Sequence, residues 1–106
     1  MANSWNIPKW LEDEVRERDT HCVYCGVKFT PFKENRTTAA SWEHIINDAS
    51  IITSENIALC CCGCNASKGQ KKLSLWLESP YCKKKGITVN SVALIIKSAL
   101  SNECAV

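Results

Sequence analysis

Hydrophobic residues come in short groups separated by polar turns, and each group carries its own period. Behind Pro8, the residues Trp10, Leu11, Val15 and Arg18 recur at helical spacing. This predicts a first helix that begins at Pro8, takes Asn6 as its cap and stops near Asp19. Glu12, Asp13 and Glu14 lie in its early turns, where they suit the helix dipole, and Trp10 and Leu11 are its expected core residues. His21 to Phe29 reads as a short β-ribbon, and residues 30–38, polar and containing Pro31, read as loop. Ala39 to Ile46 and Asn56 to Leu59 read as two strands around a loop, Asn47 to Glu55. A helix is expected from Cys61 to about Lys71, then a short helix or turn over Leu73 to Leu77 that stops at Pro80. Lys83 to Gly86 reads as a basic turn. Thr88 to Asn102 reads as a final helix, capped by Asn90 or Ser91, with Val92, Ile95, Ile96, Ala99 and Leu100 on one face.

The expected fold class is thus α+β. A chain of 106 residues is expected to form one domain, and 45% hydrophobic with 23% charged residues is a globular balance. The core of so short a chain is small, so a staple is expected. The eight cysteines are the candidates. No basic start followed by an apolar run marks a secretory signal, and the longest apolar patch, Val92 to Ile96, is too short to span a bilayer. A cytoplasmic protein with no membrane partner is the expectation.

Cysteine spacing favours a metal over disulfides. Cys22 and Cys25 form one C-x-x-C, Cys61 and Cys64 a second, and Cys60, Cys61, Cys62 and Cys64 crowd into five positions. Crowding leaves little room for the separate, distant partners that disulfides need. Two C-x-x-C pairs supply four thiolates for one tetrahedral Zn²⁺. Gly26 follows the first pair, where a knuckle turn needs a positive φ. Cys60, Cys62, Cys82 and Cys104 are read as buried or free thiols of a reducing compartment.

The residues around and between these pairs resemble the HNH endonuclease family. The resemblance rests on Cys22-Val-Tyr-Cys25-Gly26, Trp42-Glu43-His44-Ile45, Asn56-Ile-Ala-Leu59 and Cys61-Cys-Gly-Cys64-Asn65-Ala-Ser-Lys68-Gly69. It covers residues about 16–72, with 73–106 as a helical extension outside the motif. It implies a ββα-metal core stapled by a four-cysteine zinc site and flanked by N- and C-terminal helices. In that pattern His44 is the general base for water, and Asn56 holds the loop and orients His44. Glu43 and Asn65 bind one catalytic divalent ion, and Lys68 reaches a phosphate from the motif helix. A carboxylate and an amide oxygen form a hard, sparse donor set that suits Mg²⁺ or Mn²⁺. The first ligand is Glu where Asp is more usual, and Asn47-Asp48 stands where a Pro often follows the His. Asp48 is then either a further ligand or a polar loop residue. His21 is read as a surface residue or a neighbour of the zinc ligand Cys22, outside the catalysis. The resemblance also implies a bacterial or phage-encoded protein.

Charge locates the expected partner, DNA. The formal charge is only +2, and four thiolates with one Zn²⁺ sum to −2, which brings it to about zero. Residues 68–85 nevertheless carry +5, from Lys68, Lys71, Lys72, Lys83, Lys84 and Lys85 against Glu78, while residues 1–19 carry −2. The six lysines are the expected phosphate contacts. The resulting expectation is a metal-dependent DNA endonuclease of low sequence specificity that nicks; a monomer would cut one strand at a time, a dimer could break both, and the sequence leaves monomer or dimer open. A non-catalytic zinc-stabilised DNA-binding module is the alternative, and a C-x-x-C redox protein is more distant.

Overall fold

A computed structural model describes residues 7–31, 33–46, 48 and 50–104, with side chains through residue 101. Its elements run α1 (Lys9–Arg18), β1 (Ala40–His44), β2 (Ile57–Cys61), α2 (Cys62–Lys68), α3 (Leu73–Trp76), α4 (Pro80–Lys85) and α5 (Leu94–Cys104). β1 and β2 form a two-stranded antiparallel sheet in which Trp42 faces Leu59 and His44 faces Ile57. α2 follows β2 without a break, because Cys61 ends the strand and caps the helix, its Sγ accepting from the Cys64 N–H.

The sheet has a different covering on each side. Ile57 and Leu59 pack with Ile7, Leu11 and Val15, so α1 lies on that face. Ala58 and Cys60 point the other way, into a larger cluster with Tyr24, Cys64, Trp76, Ile87 and Ile96. That cluster joins the motif region to the C-terminal helices. Tyr24 meets Trp76 edge to face at 4.8 Å, and the Ala93 N–H donates to the Val23 carbonyl.

The end of α1 closes the outer edge of β2. Arg18 holds the Asp19 carboxylate through Nε and Nη2, and the same guanidinium donates to the Ser54 and Ile57 carbonyls. Asp19 Oδ2 accepts the Leu59 N–H, and the Val23 N–H donates to the Leu59 carbonyl. The first cysteine pair is thereby laid against the strand that carries the second.

Several expectations shift. Helix α1 has Pro8 as its N-cap, and Asn6, the expected cap, lies outside the described residues. Trp10 is 64% exposed rather than core, since the buried stripe passes through Leu11 and Val15, one full turn apart. The 21–29 ribbon reduces to one bridge, His21 with Lys28, around a turn in which Gly26 has φ 77° as expected. α2 stops at Lys68, short of Lys71, because Gly69 leaves helical geometry with φ 51°. Pro80 begins α4 rather than ending a segment: Ser79 Oγ caps it by accepting the Cys82 N–H, and proline tolerates the first helical position. Lys83 to Lys85 are therefore the last turn of a helix. The final helix starts at Leu94, later than Thr88, after a turn in which Thr88 and Ser91 bond to each other. Among the described residues no helix is long and apolar enough to cross a membrane.

Candidate functional site

The four cysteines of the two C-x-x-C pairs converge. Cys22, Cys25, Cys61 and Cys64 place their sulfurs within 4.8 Å of one another. Cys25 Sγ and Cys61 Sγ are 3.7 Å apart. Tetrahedral zinc with bonds of about 2.3 Å requires sulfurs about 3.8 Å apart, so this edge is already the right length. Each pair forms a knuckle in which the second cysteine's N–H donates to the first cysteine's sulfur, Cys25 to Cys22 and Cys64 to Cys61. Hydrogen bonds from the Cys22 and Cys64 thiols push the Cys61 thiol down. The donor set and its geometry fit a structural metal ion such as zinc. Cys60 and Cys82 are buried thiols and Cys62 is half-buried, all without disulfides; Cys104, assigned to the same group, has its side chain outside the described residues. Burial pushes the Cys60 and Cys82 thiols up.

Glu43 and His44 end β1, and helix α2 brackets them. Asn65 Nδ2 donates to the Trp42 carbonyl and to Ser41 Oγ. One turn later, Lys68 Nζ donates to the Ile45 carbonyl at 3.0 Å. The helix thus holds the backbone immediately before and immediately after the Glu43–His44 dipeptide.

Glu43 turns toward α2 and is only 6% exposed. Its Oε2 accepts from the Tyr24 hydroxyl at 2.5 Å and pairs with Lys68 Nζ at 3.3 Å. Burial raises the Glu43 carboxyl above its ordinary range, and Lys68 and Tyr24 pull it part of the way back. Tyr24 is itself pushed well up by burial and by the Glu43 charge. Lys68 is 0% exposed. This corrects its expected role: an ammonium sealed between Glu43 and the Ile45 carbonyl is no surface phosphate contact. The helical period gives an inward lysine and an outward one the same local sequence, so only the fold separates them. Tyr24, which donates to Glu43, and Trp76, which meets the Tyr24 ring edge to face, are candidates that spacing does not reveal, although Tyr24 lies between Cys22 and Cys25.

His44 takes the opposite face from Glu43, as strand alternation requires, and its cross-strand partner is Ile57. The structure therefore brings Glu43 and Asn65 to the α2 side but does not gather His44 into the same cluster. Burial lowers the His44 imidazole below its ordinary value, partly opposed by Asp48, so the ring is neutral at neutral pH. Asp48 is an exposed loop residue whose Oδ1 accepts from Ser50 N–H and Oγ. Asn56 bonds to the loop backbone: Oδ1 accepts the Ile46 N–H, and Nδ2 donates to the Ile46 and Ile51 carbonyls. It acts on the loop backbone, which makes it a positioning residue.

Lys71, Lys72, Lys83, Lys84 and Lys85 are exposed, the last three together on α4. Lys85 Nζ sits 5.4 Å over the Tyr81 ring. His21 is exposed, with Nδ1 bonded to Thr20 Oγ1.

No family model matches this chain, and no curated protein or solved structure matches it either. What the structure defines is a small mixed α/β protein with a two-stranded antiparallel sheet and a four-cysteine cluster able to hold a metal.

Proposed function

We propose that this chain is a small HNH-type endonuclease that hydrolyses DNA phosphodiester bonds with a divalent metal ion, nicking with low sequence specificity. The observation that carries the reading is the bracketing of Glu43–His44 by Asn65 and Lys68, because a helix that fixes both flanking carbonyls holds that dipeptide in one geometry. His44, neutral at working pH, accepts the proton of the attacking water. Asn56 keeps the adjoining loop in place beside it. Asn65 and Glu43 offer hard oxygen donors of the kind Mg²⁺ or Mn²⁺ takes, with both Glu43 bonds falling on Oε2; the Lys68 ammonium at 3.3 Å works against a second cation there. Such an ion, when bound, polarises the phosphate and stabilises the leaving oxygen. Exposed lysines 71, 72 and 83–85 supply the phosphate-tracking charge.

A second reading, a zinc-stapled DNA-binding module without catalysis, is favoured by one observation: Glu43 is already paired with Lys68, on the opposite face from His44. Supercoiled plasmid separates the two. The chain with Mg²⁺ or Mn²⁺ is expected to convert it to open circles, and His44→Ala to abolish this while binding DNA as before. Because the imidazole titrates below its ordinary value, the nicking rate should rise with pH and level off below about pH 6.5. Binding without nicking by the unaltered chain, or equal nicking by both proteins, refutes the nuclease reading.

A further inference from the structure

The cysteine cluster has a fifth participant from outside the motif region. The Tyr81 hydroxyl, on α4, donates to Cys64 Sγ at 3.3 Å. Gly63, in the first turn of α2, lies beside this contact: a Cβ there would reach Tyr81 Oη at 3.4 Å, an ordinary contact, and would crowd Thr37 Cγ2 at 3.0 Å. The ring is fixed by stacking on Trp76 at 6.0 Å and by Lys85 on its other contact, 5.4 Å away. Cys22 and Cys61 each take a backbone N–H within their knuckles, whereas the hydrogen bond to Cys64 comes from a side chain 17 residues away.

We infer that Tyr81 is a positioning residue of the metal site: its hydroxyl donates to the metal-bound Cys64 thiolate and makes helix α4 part of the zinc centre. Four thiolates around Zn²⁺ leave two negative charges, and an O–H aimed at one sulfur withdraws density from it. The bond slows loss of that ligand and quiets its reactivity, and ligand-orienting partners of this kind change metal affinity about 10–100-fold. The inference rests on the zinc reading of the cluster and is independent of nuclease activity.

Tyr81→Phe removes the hydroxyl and keeps the ring, its stacking on Trp76 and its contact with Lys85. The zinc-loaded protein and the variant are challenged with a chromogenic chelator, and both are loaded with Co²⁺ in place of zinc. The variant is expected to hold one metal per chain but transfer zinc about tenfold faster. Its sulfur-to-cobalt charge-transfer band should move to lower energy, a change that altered packing alone does not produce. If the variant does not fold, the unaltered sequence made with 3-fluorotyrosine, a stronger donor, should move the band to higher energy. Equal transfer rates with an unmoved band overturn the role of Tyr81, as does an unmoved band in the fluorinated chain. A wild-type chain that binds no zinc overturns the metal reading, and the inference with it.

Discussion

Lys68→Met tests the buried ion pair that α2 carries into the fold. At 3.3 Å the Glu43–Lys68 attraction is about 5 kcal/mol at an effective dielectric near 20, before the cost of removing both charges from water. Methionine fills most of the same space and leaves Glu43 buried without its counter-ion. The carboxyl then takes up a proton. From its ordinary value of 4.5, holding that proton at pH 7 costs about 3.4 kcal/mol, and at pH 5 about 0.7 kcal/mol. Loss of the bond to the Ile45 carbonyl adds about 1 kcal/mol at either pH. The expected destabilisation is therefore about 4 kcal/mol at pH 7 and about 2 kcal/mol at pH 5, a large part of what a small domain has. The sign follows from proton linkage. In the variant the folded carboxyl holds its proton to higher pH than the unfolded one, so its contribution is present at low pH and drains away as pH rises through the folded value. Urea unfolding followed by tryptophan fluorescence, in zinc-containing buffer without Mg²⁺, measures the loss at both pH values. Glu43→Gln combined with Lys68→Met should recover much of it and flatten the pH dependence. An equal loss at both pH values, or a double variant no more stable than the single one, refutes the account.

Two further outcomes follow from other parts of the molecule. Asn56→Ala removes three hydrogen bonds to the 46–51 loop and should cost about 2–4 kcal/mol, with faster amide exchange at Ile46 and unchanged zinc content; unaltered exchange there would show that the loop is held by something else. Replacing Lys83, Lys84 and Lys85 with alanine should lower the salt slope of DNA binding by up to about 2.7, and an unchanged slope removes α4 from the DNA contact surface.

What could be read from the chain alone was what depends on short-range spacing. The two C-x-x-C pairs are local devices, whereas their convergence depends on the clamp at the end of α1 that lays the first pair against the strand carrying the second. The two strands and the start of the following helix are also legible close to where they lie. The burial of Lys68 is not legible in the sequence, because a charged side chain declares nothing about direction until its helix has docked. The exposure of Trp10 is hidden for a related reason: an aromatic beside Leu11 looks like core, yet only Leu11 and Val15 of α1 lie over the sheet. Pro80 reads as a terminator in the sequence because the capping role of Ser79 depends on where the next turn goes. Tyr24, Trp76 and Tyr81 became meaningful only through contacts that bridge distant parts of the chain, which no local pattern encodes.

The clamp at the end of α1 also bears on how the molecule behaves in company. A two-stranded sheet has outward-facing backbone groups on each side, a template on which another chain can add a strand. Here Leu59 has both its N–H and its carbonyl satisfied from within the same chain, and the Ile57 carbonyl is held by Arg18. On the far side, Asn65 occupies the Trp42 carbonyl. These bonds take Leu59, the Ile57 carbonyl and the Trp42 carbonyl out of reach of an incoming strand, so the β2 edge in particular is blunted against strand addition between copies.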